Sequence, residues 1–405
     1  MDDRPRNLRT MLAEAKDTSD LMVDLAYAAL YFGDPEMAEE VRELEEEMSE
    51  LVHDMRRVSI LAVRRPKEAD GMAAVLQVIS AIERIANDAV DIARIVTYRL
   101  GIPEEFIADL SAAEEVSHRV LISDGSQMAH RSLSDLELPV VCGMRVMAVR
   151  RQRDWIIDVP GDLVVLPDDV LFLRGSPHGI DRLRDLAGAP AWEPPQQVEE
   201  TAVTDLDRAV DTLVEMKNIS EVSVGLAYSA LVLTDRGLAA EVRHLEDRLD
   251  EMNDRLELWV LRAGAQELDP SKLRGLLQLS RAAEDIGDQA QQMVWLVENF
   301  DEIHPILGIA LGESDEVVMQ CPVAAGSAAD GQKLGQLGLD IEPGFSVLAI
   351  RRAGRYLYRP RAFERLEAGD ELIASGPDEG RPMLADLCGY RLVRDDEGSD
   401  ELVPA

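Results

Sequence analysis

Cysteine is scarce. The 405 residues hold three, Cys142, Cys321 and Cys388, an odd number, widely spaced and without a CxxC pair, which excludes a disulfide framework and a zinc site. They read as small buried apolar residues. Long hydrophobic runs are also missing: the longest, Leu21 to Phe32, is broken by Asp24 and falls short of the roughly 20 residues of a spanning helix. Ahead of any apolar run stand Asp2, Asp3, Arg4 and Arg6, not the pattern of a signal peptide, so a cytoplasmic location without membrane insertion is expected. Catalytic signatures are lacking as well. There is no Walker loop, no GxGxxG fingerprint after a strand, no GxSxG elbow and no HExxH. The histidines, His53, His118, His130, His178, His244 and His304, show no metal spacing and are expected to be solvated. The expectation is a protein that is not an enzyme.

Positive charge is short too. Against 78 acids stand 42 bases, a formal net charge of -36. Only Lys16, Lys67, Lys217, Lys272 and Lys333 among those bases are lysines. Nucleic acid, whose phosphates demand Lys and Arg, is excluded as a partner, and an anionic membrane surface is disfavoured. A surface so rich in acid and poor in lysine suits a high-salt cytoplasm, where screening is short-ranged, and a halophilic source is expected. The 46% apolar content and the length allow two to four globular domains.

What the chain does have is an internal repeat. Lys16 to Leu21 (KDTSDL) matches Lys217 to Val222 (KNISEV), Leu25 to Leu30 (LAYAAL) matches Leu226 to Leu231 (LAYSAL), and Ala38 to Met48 matches Ala239 to Leu249. Met147 to Arg151 (MAVRR) matches Leu348 to Arg352 (LAIRR), and Asp169 to Gly175 pairs with Asp370 to Gly376. One offset of 201 residues relates all of them, so the chain is a duplicated module. Between the copies, 189–204 carries Pro190, Pro194 and Pro195 and reads as a semi-rigid linker, making the copies separable. The ends, 1–7 and 391–405, read as loosely held.

Each copy changes period midway. Met37, Val41, Leu44, Met48, Leu51, Met55 and Val58 form one helical stripe, repeated at Leu238, Val242, Leu245, Leu249, Met252, Leu256 and Trp259, and their near-3.5 spacing asks for partner helices. Those partners lie at about 8–32 and 71–99, and again at 208–233 and 271–300, giving three antiparallel helices per copy. After them, short alternating runs at Val116 to Ile122, Met144 to Arg150 and Asp169 to Leu173 read as strands. Short helices are expected at Met128 to Leu136 and Ile180 to Ala187.

These residues carry a family resemblance. KDTSDLMVDLAYAALYF, AEEVRELEEEM and IERIANDAVDIARIV resemble the PhoU-type three-helix unit. Leu133 to Arg151 with Asp169 to Gly175, and Leu334 to Arg352 with Gly369 to Gly376, resemble the TrkA C-terminal (RCK-C) domain. The expected class is mixed, α plus α/β: PhoU-like units at 1–110 and 205–310, TrkA-C-like domains at 111–188 and 311–390, a linker at 189–204 and an acidic tail at 391–405. The resemblance implies a cytosolic ligand-sensing regulator of a membrane cation channel or transporter in a separate chain, potassium being the usual ion. It also implies homodimerisation. The Rossmann half that often precedes TrkA-C is missing. A regulator of phosphate uptake and a metal sensor are the alternatives.

Two sets of candidate residues follow. Arg150, Arg151, Arg351 and Arg352 end strands in a chain short of positive charge, and guanidinium groups there suit a phosphate. The TrkA-C resemblance implies cyclic di-AMP or another nucleotide at a dimer interface that includes Arg145, Val146, Ser346 and Val347. The PhoU resemblance implies an E-x-x-x-D pair for metal, with i and i+4 on one helix face. Glu284 and Asp288 have it, whereas Glu83 is followed by Asn87, with Asp88 and Asp91 nearby. Oxygen ligands alone would favour a hard divalent cation or iron. The bland readings are surface ion pairs and a solvated acidic face.

Overall fold

The computed structural model describes residues 7–110, 115–157, 159–192, 204–265, 273–300, 303–394 and 400–405. Asn7 starts α1 (Leu8–Phe32): its side chain accepts from the Thr10 amide at 2.9 Å, and Gly33, at φ 61°, ends the helix in the left-handed conformation glycine tolerates best. Asp34 caps α2 (Pro35–Ala62) by accepting from the amides of Glu36 and Met37, with Pro35 in the first turn. After α3 (Pro66–Thr97) comes a short helix that periodicity did not reveal, α4 (Glu104–Leu110). The chain then forms β1 (Val116–Leu121), α5 (Leu133–Leu136), α6 (Leu138–Cys142), β2 (Met144–Arg151), β3 (Asp154–Ile157), β4 (Val170–Gly175) and α7 (Ile180–Ala187). Their sheet order is β1-β4-β2-β3, and β2 runs antiparallel to both neighbours.

The second copy repeats this. A Thr204–Asp207 capping box opens α8 (Asp205–Leu233). Then come α9 (Arg236–Ala265), α10 (Arg274–Asn299), α11 (Pro305–Leu311), β5 (Glu316–Pro322), α12 (Leu334–Leu337), β6 (Ser346–Arg352), β7 (Arg355–Tyr358), β8 (Glu371–Pro377) and α13 (Arg381–Leu387). The sheet order is β5-β8-β6-β7. Even irregularities recur 201 residues apart: β2 and β4 slip between Val146 and Ala148, β6 and β8 between Val347 and Ala349.

The helical stripes are buried as their spacing predicts, except for the last residue of each. Val58 and Trp259 are half-buried, and the inward positions pass to Ser59 and Val260. A straight helix of 3.6 residues per turn drifts away from a 3.5 repeat, and by the seventh member the neighbouring residue faces the core.

Two corrections concern organisation. The copies are not separable along the linker: one compact unit comprises Met1–Ser117 with Pro194–Ser314, the other His118–Glu193 with Asp315–Ala405, so helices gather with helices and sheets with sheets. Residues 193–203 of the expected linker lie outside the described residues, as do 1–6 at the N-terminus. The expected loose tail holds two paired strands, β9 (Tyr390–Arg394) and β10 (Asp400–Pro404). Tyr390, Leu392 and Leu402 pack on the second sheet's core, which rewards ordering a segment whose composition is otherwise polar.

Within the helical unit α3 and α10 cross antiparallel. Gln77 Nε2 donates to the Gln292 carbonyl at 2.9 Å, and Arg84 Nη1 reaches Gln292 Oε1 at 3.2 Å. Each short helix packs on the first helix of the other copy, α11 on α1 and α4 on α8, and α11 also packs on α8 of its own copy. A pseudo-two-fold axis relates buried details as well: Lys16 Nζ stands 5.4 Å from the Tyr228 ring centre, Lys217 Nζ 5.2 Å from that of Tyr27. Each ammonium binds a carboxylate one turn on, Asp20 at 2.9 Å and Glu221 at 2.8 Å.

Within the sheet unit the same symmetry holds. A Cβ on Gly143, at φ 63°, would strike the Asp340 carbonyl, and one on Gly344, at φ 85°, would strike that of Pro139. The two halves approach backbone to backbone there, which only glycine permits.

Candidate ligand and ion sites

Arg145 and Val146 open β2, Ser346 and Val347 open β6, all half-buried and each within three residues of the glycine contacts on the pseudo-two-fold. The strand pairing sets Arg145 opposite Arg174, whereas Ser346 faces Ser375. The first half thus carries two guanidinium groups on neighbouring strands where the second carries two hydroxyls. Arg174 was missed in the sequence, where nothing marks it as the cross-strand neighbour of Arg145.

Polar groups cross between the halves on one side of the axis. Ser176 Oγ donates to Asp340 Oδ2 at 2.6 Å, His178 Nδ1 lies 3.4 Å from the same oxygen, and Arg182 pairs with Glu342 at 3.5 Å.

The strand-end arginines are committed elsewhere. Arg151 donates Nε and Nη2 to Asp169 at 2.9 and 2.8 Å, and Arg352 makes the same fork to Asp370 at 2.6 Å twice. Both acids are 1% exposed, and each also accepts from the backbone amide three residues before it, Leu166 or Glu367. Arg351 bridges to Glu371, and the Arg150 guanidinium lies 5.6 Å from the Trp155 ring centre. Arg151 and Arg352 thus have structural roles, because a buried carboxylate demands a fixed cation more strongly than a solvated ligand does; Arg351 and Arg150 lie against Glu371 and Trp155.

Among the histidines, His118 corrects the expectation of solvation. It is 6% exposed, receives Arg184 Nη1 at 3.1 Å and meets Trp192 edge-on. Burial first, then Arg184 and Arg119, pushes its pKa down to about 4. The three cysteines are buried and free, as expected.

In the helical unit the two copies differ at the acidic positions. Glu83 is bound by Arg56 at 2.6 Å, Asn87 is exposed, and Asp91 pairs with Arg94. In copy two Glu284 and Asp288 on α10 meet Glu246 and Asp250 on α9, a second E-x-x-x-D pair that the sequence also carries and that was overlooked there. Burial, then Asp250 and further acids, raises Glu284 to about 7. Glu246 rises to about 7 through burial, Asp250 and Asp288. Asn253 donates to Glu284 at 2.9 Å and Gln291 to Glu246 at 2.6 Å, so neutral amides stand where a cation would be needed. Among the described residues no three His, Cys, Asp or Glu side chains converge as a metal-ligand set. The residues present do not fit a preformed metal centre.

Asp88 sits where α3 crosses α10. Burial, then Asp285 and Asp91, push it up to about 8, and its Oδ2 is enclosed without a hydrogen-bond partner.

Comparison with known families finds two domain types, each twice. The PhoU domain family matches residues 12–96 and 213–297, and the TrkA-C domain family matches 118–188 and 318–389. The chain is a tandem duplicate of PhoU and TrkA-C domains. Both are regulatory rather than enzymatic families. No curated protein matches the chain. Of solved structures, PhoU from Pseudomonas aeruginosa is 15% identical over 72% of this chain and 93% of that one, with a TM-score of 0.39. The GsuK RCK domain is 15% identical over 79% and 78%, with a TM-score of 0.18. The GsuK channel bound to NAD is 14% identical over 76% and 64%, with a TM-score of 0.16. Among the described residues no helix of these PhoU and TrkA-C domains is long and apolar enough to cross a membrane.

Proposed function

We propose that the chain is a cytosolic regulatory subunit that senses an anionic, nucleotide-type ligand at its paired TrkA-C domains. By binding, it biases a membrane cation channel or transporter in a separate chain, with potassium the expected ion. One observation supports the reading: the two TrkA-C domains pair within a single polypeptide across Gly143 and Gly344, with Arg145 opposite Arg174 on the strands beside that contact. A cyclic dinucleotide such as cyclic di-AMP has two phosphates related by its own two-fold, and its backbone so matches a pseudo-symmetric interface; the arginines of the first half would face one phosphate and the serines of the second the other. Regulation then requires that the ligand favour one state of the assembly over the other.

Calorimetry of the full chain with cyclic di-AMP and adenine nucleotides in molar KCl tests this. One ligand per chain is expected, with affinity falling on Arg145→Ala or Arg174→Ala while the fold persists. Absence of both heat and thermal shift across the panel would refute ligand sensing at this interface.

A further inference from the structure

Two of the three cysteines meet in the fold. Cys321 lies in β5 and Cys388 closes α13, 67 residues later in the chain, and both sit in the buried core of the second sheet. The segments that carry them are tied backbone to backbone, the Ala324 amide donating to the Cys388 carbonyl at 2.9 Å. Between the sulfurs runs a hydrogen bond in which Cys321 donates to Cys388; it draws the Cys388 thiol below its ordinary pKa and raises that of Cys321. The Pro322 carbonyl, at 3.8 Å, is a second acceptor for Cys321 Sγ. Copy one has no such pair. At the positions 201 residues earlier stand Val120 and Ala187, equally buried. Packing there asks only for small apolar groups, yet copy two carries a thiol at both contacting positions. Cys142 is the contrast: its Sγ donates to the Leu138 carbonyl at 3.2 Å, and burial pushes its pKa up to about 11.

We propose that Cys321 and Cys388 form an oxidative modification site, which a hydroperoxide converts from a thiol pair into a disulfide joining the end of β5 to the end of α13. The Cys388 thiolate attacks a peroxide oxygen; the O–O bond breaks, leaving a sulfenic acid and, with the thiol's proton, one water. Cys321 then attacks the Cys388 sulfur, its proton leaves with the hydroxyl as a second water, and the S–S bond closes. The pair loses two electrons and the peroxide gains them. A dithiol reverses the step by exchange, the transient use to which disulfides are put in a reducing compartment. Access comes through the β9–β10 hairpin. Tyr390 follows Cys388 by two residues, and Leu392 and Leu402 pack on the same core, so local opening of this two-stranded element uncovers Cys388 without unfolding the four-stranded sheet. Val347 of β6 packs on that core too, so the state of the pair bears on the strand that carries the candidate ligand residues of copy two.

Thiol counting and intact mass of the full chain decide it. After exposure to hydrogen peroxide in near-stoichiometric amount, the denatured chain should show one thiol in place of three, a mass lower by two hydrogens, and a cross-linked peptide holding Cys321 and Cys388. Dithiothreitol should restore all three. The cross-link closes a long loop, so the sheet unit should melt roughly 10 °C higher when oxidised, read by tryptophan fluorescence with Trp259→Phe and Trp295→Phe in place. Cys321→Val with Cys388→Ala installs the residues of copy one, keeps the core filled and should abolish both the thiol loss and the melting shift. A count that stays at three overturns the inference. So does a cross-link to Cys142, oxygen added to either cysteine in place of the hydrogen loss, or a melting shift that survives in the double variant.

Discussion

Replacing Arg151 by Met removes the cation from Asp169 while keeping most of the aliphatic stem. Two charge-assisted hydrogen bonds, at 2.9 and 2.8 Å, disappear, together with the bond from Nη2 to the Val164 carbonyl at 2.9 Å. Asp169 keeps the Leu166 amide at 2.8 Å. Removing one partner of a fully buried pair costs about 3–5 kcal/mol. The Arg151 side chain is 31% exposed, so water screens part of the loss, and about 2–3 kcal/mol is expected. In a background with Trp259→Phe and Trp295→Phe, denaturant unfolding followed by tryptophan fluorescence reads the sheet unit, because Trp155 lies on β3 opposite Arg150 and Trp192 falls in the same compact unit; far-UV circular dichroism is dominated by the long helices. The fluorescence midpoint should fall while the helical transition stays. Adding Asp169→Asn should recover about 1 kcal/mol, since no orphan charge then remains. A loss below about 0.5 kcal/mol, or a double variant less stable than Arg151→Met alone, would refute the assignment of this pair as a structural clamp. Arg352→Met with Asp370→Asn should behave alike.

Gly143→Ala and Gly33→Ala both place a side chain at positive φ, 63° and 61°, but only the first has a carbonyl in the way. Gly33→Ala should cost about 1 kcal/mol, Gly143→Ala distinctly more, read as a lower denaturation midpoint of the sheet unit. Asp88→Asn should change the pH profile: the raised Asp88 proton affinity stabilises fully below its ordinary value of 3.8, and this is lost as pH rises through about 8. Its surroundings are Arg84 and Asp91 on α3 and Asp285 and Asp288 on α10. The substitution should therefore stabilise by roughly 1–3 kcal/mol at pH 8 and hardly at pH 4, measured by thermal melts across that range; equal effects at both ends would refute it.

The period of the apolar stripe and the fixed offset made the six long helices and most strands legible, because both depend on local spacing. β3 and β7 escaped notice, since four-residue strands such as Asp154–Ile157 show no resolvable alternation. So did α4 and α11, seven-residue helices whose packing involves the other copy's helices as well as their own. The partners of Arg151 and Arg352, Asp169 and Asp370, stand 18 residues away, a pairing that the pleat and the turn decide. The Arg145–Arg174 neighbourhood needed the strand register, and the contrast between Glu83 and Glu284 needed to know that Arg56 faces one where Asn253 faces the other.

Because like halves assemble with like while alternating along the backbone, the polypeptide passes from one compact body to the other three times, near 117, 193 and 314. Neither body can be cut out as a single contiguous fragment, and a gene encoding one repeat would supply half of each. The fusion also holds the stoichiometry of the halves at one to one, which leaves each half free to accumulate changes, such as serine for arginine at 346, that identical subunits could only adopt in pairs.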